Sequence, residues 1–492
     1  MSAIIRDGFK VNTLKSFITA AATNSLYLGI ARPQFWDTVA ASDASVPVPL
    51  NTLGALDTDW EDMLSLKKLS SVNDLHTGVF KEVWQANIKY DTYRHNWDGT
   101  ITASYNGPNV SVTTPSSLSD VKCFVLTTSS KIYLCLKQSI VGGVVQPSIY
   151  SPDTGVTVGG STTGILKTAD GYYWKFMAET SAADIVKFSS KYYHPVSTIT
   201  VAPAPSADYY NQWVSQVNSY SFRGGIYVIN VLTSGLGYNS GVAGTRNVTN
   251  AKTDTEFKVI GDGTGLQYTV TYGASGAISA IEVTNPGTGY THATITAATG
   301  TGAAFDVIFT PLSGLGADPA TDLIARYLLV SLTLSDTEGG DFTVGNDFRK
   351  LVLVNNPTNY NSTTIATAAT LNSLITLNVG TGIAAGDYPA DSIITGSVSG
   401  AKGIVVDFDT TTGKIRVIRT HSENSGQLGA NVSFQVSDTL VSSPGTGPGH
   451  ALTSVVDPTV SKYSGTVLYS EYRSPIARTP AANQDIKIIV KF

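Results

Sequence analysis

The stretch DGYYWKF (170–176) places four aromatic side chains within seven residues. It opens with an Asp-Gly pair, which favours a tight turn. Because the side chains of a strand alternate between its two faces, Tyr172, Trp174 and Phe176 share one face and Lys175 lies on the other. We therefore predict a strand with one aromatic face for a core and one mixed face, in preference to an aromatic platform for a ligand.

Composition extends this strand prediction to the whole chain. Charged residues make up 14% of the 492 residues, well below the share of about 25% in average soluble proteins. The 46 glycines, with abundant Ser, Thr and Asn, suit short strands joined by tight turns. We predict a mainly β fold: a multidomain, β-sandwich-like framework with a few short helices and two inserted small β modules.

The charge pattern argues against two kinds of partner. The formal net charge is −5 and no run of Lys or Arg occurs, so we expect no nucleic-acid partner. No apolar stretch reaches the roughly 18 residues that cross a bilayer, so we expect no membrane insertion. The N-terminal segment has the pattern of an amphipathic helix and not of a signal peptide, which predicts synthesis in a cytoplasm.

Three segments have helical patterns: residues 11–22, DTDWEDMLSLKKL (57–69) and SADYYNQWVSQV (206–217). In the second, acidic residues precede basic ones, which matches the helix dipole. The acidic residues of this segment do not match a calcium-binding loop, because the segment lacks the central Gly and closing Glu of an EF-hand. We predict a helix there.

The only two cysteines, Cys123 and Cys135, stand in CFVLTTSSKIYLC (123–135), whose flanks alternate around a polar turn. A hairpin would bring the two sulfurs near each other, so a disulfide is geometrically conceivable. Two cysteines in so long a chain do not form a disulfide framework, and we predict free, packed thiols.

A small β unit is duplicated in the middle of the chain. IYVINVLTSGLGYNS (226–240) is echoed by ISAIEVTNPGTGYTH (278–292), and a Gly-Thr-Gly turn with a further strand follows each copy. The shared glycines stand where turns need a positive φ. No helical pattern follows them, so they do not indicate a nucleotide-binding loop.

A second module surrounds the hairpin pattern ITGSVSGAKGIVVDFDTTTGKIRVIRT (394–420). The predicted organisation is a framework that two modules interrupt. Its parts are an N-terminal β-rich framework (1–225), the duplicated Gly-rich module (226–316), a return to framework (317–378), the second module (379–445) and C-terminal framework strands (446–492).

The sequence lacks a recognisable reaction centre. The six histidines are scattered, and neither a metal-ligand spacing nor a nucleophile motif occurs. Candidates for a glycosidase carboxylate pair are Asp407 and Asp409, but they alternate with apolar residues as on a solvated sheet face. We expect no catalytic residues, no cofactor and no metal, and therefore no enzyme.

Several segments, in the same order along the chain, resemble one family. They are IARPQFW (30–36), IYLCLK (132–137), TADGYYWKF (168–176), NDFRKLVLVNNP (346–357) and SGTVLYSEYRSPIARTPAANQDIKIIVKF (464–492). Together they resemble a baseplate wedge subunit, the product of gene eight, of T-even-like contractile-tailed bacteriophages. The residues that carry the resemblance are Asp170, Gly171, Tyr172, Trp174, Phe176, Phe348, Arg349, Tyr469, Glu471, Arg473, Pro475 and Ile476.

The resemblance implies a structural role in the virion. Members of that family form a dimer in each baseplate wedge, contact other wedge proteins and take part in the rearrangement of the baseplate. The two modules lie outside the resembling segments. The alternative function is a tail adhesin that binds host-surface glycan through those modules, and a glycan-degrading enzyme ranks third.

The last residues, IKIIVKF (486–492), alternate as a strand does. Ile486, Ile488, Val490 and Phe492 would share one face. We predict a terminal strand that is held in the framework.

Overall fold

The structure, a computed structural model, describes residues 7–37, 42–49, 58–94, 121–141, 144–154, 165–196, 223–312, 314–316, 318–335, 346–418, 433–479 and 481–492. The helix predicted at 206–217 lies outside these ranges. With 48% strand and 11% helix, the structure confirms the mainly β fold class. The chain divides into two compact units. Unit 1 comprises residues 1–15, 76–329 and 489–492, and unit 2 comprises residues 16–75 and 330–488.

The described helices are α1 (Asp7–Thr23), α2 (Ala182–Phe188) and α3 (Pro319–Asp322), with 3-10 turns at Asn239–Gly241, Ala274–Gly276 and Ala385–Asp387. The strands are β1 (Leu26–Ala31), β2 (Met63–Lys68), β3 (Leu75–Phe80), β4 (Phe124–Leu126), β5 (Lys131–Lys137), β6 (Ile140–Val141), β7 (Val144–Val145), β8 (Ile165–Lys167), β9 (Tyr173–Glu179), β10 (Tyr193–Pro195), β11 (Ile226–Leu236), β12 (Gly244–Val248), β13 (Phe257–Gly261), β14 (Thr264–Tyr272), β15 (Ile278–Thr288), β16 (Ala293–Ala297), β17 (Thr301–Phe309), β18 (Tyr327–Leu334), β19 (Asn346–Asn355), β20 (Thr370–Asn372), β21 (Ile375–Asn378), β22 (Ile393–Gly396), β23 (Lys402–Asp409), β24 (Lys414–Ile418), β25 (Thr439–Ser443), β26 (His450–Ala451), β27 (Ser454–Val456), β28 (Thr466–Arg478) and β29 (Gln484–Lys491).

Helix α1 contains the helix predicted at 11–22, but the helix predicted at 57–69 is wrong over most of its length. Residues 58–61 are helical, and strand β2 begins at Met63. The first four residues of β2 are all buried, so both faces of the strand are covered, and its two edges pair with β20 and β1. A strand covered on both faces reads as a continuous apolar run, and this tertiary pairing prevails over the charge order that favoured a helix.

In unit 1, the stretch DGYYWKF (170–176) leads into β9, which belongs to a four-stranded sheet with the order β4-β5-β9-β8. Tyr172, Trp174 and Phe176 are fully buried, so the aromatic face lies in a core as predicted. Lys175, on the mixed face, is fully buried as well. Both faces of β9 are covered, since the neighbouring Met177 lies in a second core cluster.

The two cysteines lie on the hairpin predicted for them. The backbone N–H of Cys135 donates to the carbonyl of Cys123 at 2.7 Å, and both thiols are free and buried. Burial raises the pKa of both thiols above the usual value. The prediction of free, packed thiols is confirmed.

Residues 226–309 of unit 1 form the duplicated module with a core of its own. Its sheets are β11-β17, β12-β14-β15 and β13-β16, so β11, the first strand of copy 1, pairs with β17, the last strand of copy 2. The glycines at Gly235 (φ 57°) and Gly287 (φ 65°) are required, because a Cβ there would lie 2.5 Å and 2.4 Å from a carbonyl oxygen. Tyr238 and Tyr290 are buried in the module's own core.

Unit 2 contains a five-stranded antiparallel sheet with the order β20-β2-β1-β19-β28. Strand β19 pairs with β1 on one edge and with β28 on the other. The apolar core of this sheet includes Tyr27, Met63 and Val352, all of them fully buried. The long strand β28 is the outer strand of the sheet in the part of the chain that the structure describes.

The second sheet of unit 2 has seven strands, in the order β26-β25-β22-β23-β24-β21-β27. It spans Ile375 to Val456, and is therefore wider than the module predicted at 379–445. Strand β21 pairs with both β24 and β27, so β27 forms one end of the sheet and β26 the other. Its core includes Leu377, Val405 and Val417.

The C-terminal residues form β29, as their alternation predicts. Ile486 and Ile488 are buried, whereas Lys487 and Lys491 are exposed. Towards the end of the strand the apolar face becomes half-buried.

Candidate functional site

The residues that carry the family resemblance lie in two groups. Asp170, Gly171, Tyr172, Trp174 and Phe176 belong to unit 1. The remaining seven belong to unit 2, where the structure brings them together on β19 and β28: Phe348, Arg349, Tyr469, Glu471, Arg473, Pro475 and Ile476.

In unit 1, the Asp170 carboxylate organises two loops. One oxygen accepts hydrogen bonds from the backbone N–H groups of Ile149 (2.7 Å) and Tyr150 (3.1 Å). The other accepts from the Thr168 hydroxyl and from the backbone N–H of Tyr172. Burial by itself would raise the pKa of Asp170, but these hydrogen bonds outweigh burial and hold that pKa below its usual value.

The aromatic residues that follow are packed in a core and not presented to solvent. The Tyr172 hydroxyl donates to the carbonyl of Gln146 at 2.7 Å. Its ring stacks on Trp174 with centroids 5.6 Å apart, and Tyr90 meets Trp174 edge-on at 5.6 Å. Gly171 has φ 90°, and a Cβ at this position would lie 2.9 Å from the Ser139 hydroxyl. The arrangement is structural.

We expect Asp170→Ala to destabilise unit 1 by about 1–2 kcal/mol, because the backbone N–H groups of Ile149, Tyr150 and Tyr172 lose a charged acceptor. Asp170→Asn keeps one carbonyl acceptor, and it is expected to lose roughly half as much. Hydrogen exchange of peptides that cover residues 144–154 and 165–179 measures the effect. Equal protection in the wild type and Asp170→Ala would contradict it.

In unit 2, the antiparallel register of β19 and β28 places the two resembling segments side by side. Phe348 is opposite Ile476, and Leu353 is opposite Tyr469. The register shifts between Phe348 and Lys350, where Arg349 faces residues 473–475, so the extra residues of this bulge lie on β28. A bulge redirects a side chain, and the Arg349 side chain is 1% exposed.

Arg349 joins two carboxylates. Its Nε and Nη2 donate to the two oxygens of Asp43 at 2.6 and 2.8 Å. Its Nη1 and Nη2 donate to the two oxygens of Asp347 at 3.0 and 2.9 Å, and Nη1 also donates to the carbonyl of Pro33. Such forked bidentate pairs are the strongest geometry for this residue type. The hydrogen bond from Arg349 is the largest of the influences that lower the pKa of Asp43.

The next residue, Lys350, forms a second buried charge cluster. Its Nζ lies 3.2 Å from Asp59 Oδ1 and 3.1 Å from Asp62 Oδ2. The Tyr472 hydroxyl of β28 donates to Asp59 Oδ1 at 2.8 Å, and burial raises the pKa of this hydroxyl. The acids of segment 57–69 therefore serve as counter-charges for a buried lysine, a role that the sequence pattern did not indicate.

The outer side of β28 is polar and partly exposed. The Tyr469 hydroxyl donates to Glu471 at 3.2 Å, and Arg473 Nη1 lies 3.6 Å from the same carboxylate. Trp36 Nε1 donates to the carbonyl of Arg473 at 2.8 Å. Pro475 is exposed, and Leu468 is 45% exposed. Among the described strands, β28 pairs with β19 alone and forms an edge of its sheet.

The solvated face expected for Asp407 and Asp409 is wrong at the first of them. Asp407 is half-buried, and its Oδ1 lies 3.4 Å from Arg416 Nε. Burial raises its pKa to about 6. A register shift between Val405 and Asp407 turns the side chain inwards. Asp409 instead caps the following turn, where it accepts from Thr411 and Thr412.

Among the described residues, no group of three or more His, Cys, Asp or Glu side chains could hold a metal ion. Within the same ranges, no helix is long and apolar enough to cross a membrane. No family profile and no curated protein sequence matches this chain.

Proposed function

We propose that the chain is a structural subunit of a phage tail baseplate wedge. In this role it dimerises with a second copy, contacts other wedge proteins, and helps to assemble the baseplate and transmit its rearrangement during tail contraction. The virion is the proposed location.

The proposal rests on β19 and β28. Segments far apart in sequence, both carrying the family resemblance, are neighbours in one sheet, and Arg349 and Lys350 fix them to residues 33–62. These contacts are costly to break, because truncating one member of a buried ion pair leaves a buried charge uncompensated. The outer edge of β28, which no described strand covers, supplies a surface for neighbouring proteins.

Quantitative mass spectrometry of purified virions tests the proposal. Copy number is compared with that of the sheath and hub proteins, in whole particles and in isolated baseplates. A low multiple of six that persists in isolated baseplates is the expected result. Absence of the chain from the particle would contradict the proposal and direct the tests to glycan binding by the two modules.

A substitution on the β28 edge tests the dimer separately. Leu468→Lys is expected to weaken self-association at least tenfold, or about 1.4 kcal/mol, because a charge on an edge strand opposes pairing with another strand. Sedimentation equilibrium of the full chain measures the dissociation constant. Val398→Lys is the matched control, since Val398 is 63% exposed and lies between β22 and β23, in the other sheet of unit 2. Unchanged association of Leu468→Lys would remove β28 from the proposed interface.

A further inference from the structure

The two copies of the duplicated module differ by one strand. Strands β14 and β17 are equivalent, since each begins with Thr-Gly and the glycines Gly265 and Gly302 both have φ 80°. Each copy also has a tyrosine before this Thr-Gly pair. The interval from the tyrosine to the Thr-Gly pair is Tyr238 to Thr264 in copy 1, but only Tyr290 to Thr301 in copy 2. The additional residues of copy 1 include β12.

Strand β12 covers one edge of β14, and nothing described covers the same edge of β17. In copy 1, β14 lies between β12 and β15. In copy 2, β17 pairs with β11 alone among the strands that the structure describes. Strand β16 does not fill the gap, because it pairs with β13.

The burial of equivalent side chains follows this difference. Tyr268 and Val270 of β14 are 1% and 0% exposed. Their equivalents on β17 are Phe305, which is half-buried, and Val307, which is 8% exposed. The core of copy 2 is therefore less completely covered at the position where copy 1 has its additional strand.

A cleft of about 410 Å³ lies along this edge of β17. It is lined by residues 305–309 of β17, by residues 293–295 of β16 and by Arg94. The residues of β14 equivalent to 305–309 are 268–272, the stretch that β12 covers, with Val248 opposite Tyr268 and Gly244 opposite Tyr272. The cleft thus occupies the place that a strand fills in the other copy.

We propose that this edge of β17 is a docking slot, in which an extended segment of another protein adds as an antiparallel strand. Main-chain hydrogen bonds to an open sheet edge supply the affinity in this mode of recognition, and alternate side chains supply the specificity. The inference does not depend on the wedge proposal, because it rests on the internal comparison of the two copies.

The two faces of the slot define the chemistry of its occupant. On one face, Phe305 and Val307 belong to the module core, together with Ile295 of the opposite wall. On the other, Asp306 pairs with Arg94 beside the cleft, and Ile308 further along the strand is buried in a separate core cluster. Asn230 Nδ2 donates to the same Asp306 carboxylate at 3.3 Å. The occupant is therefore a segment with alternating apolar and polar side chains. Strand β12, with the sequence GTRNV and the buried Val248, has this pattern.

Hydrogen exchange on the full chain tests the slot. Peptides covering residues 303–307 and 266–270 are compared in the isolated protein, and the β17 peptide is expected to retain fewer protected amides. Equal protection would mean that the chain fills the slot itself, which would overturn the proposal.

The synthetic peptide AGTRNVTN, which corresponds to residues 243–250, is then added at millimolar concentration, the range in which short flexible peptides bind. We expect additional protection at residues 303–307 and none with a scrambled peptide. Ala293→Trp, which fills the cleft from its β16 wall, should abolish this protection. Thr296→Trp, exposed on the same strand and outside the cleft, should leave it unchanged. Absence of protection in the wild type, or its persistence in Ala293→Trp, would refute the slot.

Discussion

Arg349→Leu is expected to lower the stability of unit 2 by about 3–5 kcal/mol, the usual cost of removing one member of a buried ion pair. The guanidinium is 1% exposed and donates to Asp43, Asp347 and the carbonyl of Pro33. Its loss leaves the Asp43 carboxylate, whose side chain is 15% exposed, without its donor, whereas the Asp347 side chain is 37% exposed and can be hydrated. Strand β28 is anchored through the same bulge, so its pairing with β19 should weaken most.

Hydrogen exchange resolves this effect in a chain of two units, where a single free energy of unfolding is not well defined. Peptides covering 346–355 and 466–478 should lose protection, whereas peptides covering β9 in unit 1 should not change. Arg473→Leu is the control, because the Arg473 side chain is 42% exposed and a surface ion pair contributes about 1 kcal/mol or less. Equal protection of β19 in wild type and Arg349→Leu would show that the pair contributes nothing net.

The ion pair between Arg349 and Asp43 should also weaken in acid. The folded-state pKa of Asp43 lies below its usual 3.8, chiefly because Arg349 donates to it. A carboxyl group of this kind stabilises the fold at pH values above its unfolded-state pKa, and the contribution is lost as the pH falls towards the folded-state pKa. Protection of β19 in the wild type should therefore decrease below about pH 4, while Arg349→Leu should lack this component.

Lys175→Met is expected to stabilise unit 1, by about 3 kcal/mol at neutral pH. Lys175 is fully buried, and its Nζ has no hydrogen-bond partner among the described residues. The Lys175 Nζ lies 5.5 Å from the centroid of the Tyr227 ring. Burial lowers the pKa of Lys175 from 10.5 to about 8. A shift of this size corresponds to about 3 kcal/mol of unfavourable free energy for the charged form, and methionine of similar shape avoids it.

The pH dependence has a definite sign. Below pH 8 the lysine is protonated in the folded and unfolded chains alike, so the full cost is present. Between pH 8 and 10.5 the folded chain releases the proton first, and the stability of unit 1 should rise with pH. Thermal unfolding followed by exchange of β9 peptides measures this rise. Lys175→Met should abolish it, and the exposed Lys258→Met should retain it. A wild-type stability that stays flat over this interval would contradict the buried charge.

Local patterns predicted the strands well, but not which faces are covered. The alternation in 170–176 identified β9 and its aromatic face, yet it carries no information about a second layer over Lys175. The same limit explains segment 57–69. Its acidic start resembles a helix cap, while its strand depends on neighbours distant in sequence, Leu28 of β1 and Leu371 of β20.

The charge clusters of unit 2 could not be predicted because they are non-local. Asp43 and Arg349 are separated by 306 positions, and no spacing rule connects them. The strand missing from copy 2 is different, since the shorter interval between Tyr290 and Thr301 is visible in the sequence once the duplication is aligned. The sequence does not show that the additional residues of copy 1 form a strand, β12, which pairs with β14.

The first and last residues of the duplicated module are adjacent in the structure. Ile226 is paired with Phe309, and just outside them the N–H of Thr310 donates to the carbonyl of Gly225 at 2.9 Å. The whole module therefore leaves and rejoins its surroundings through a pair of adjacent residues, as a simple hairpin would. A lineage could acquire, lose or exchange such a cassette in a single recombination event without rerouting the rest of the chain.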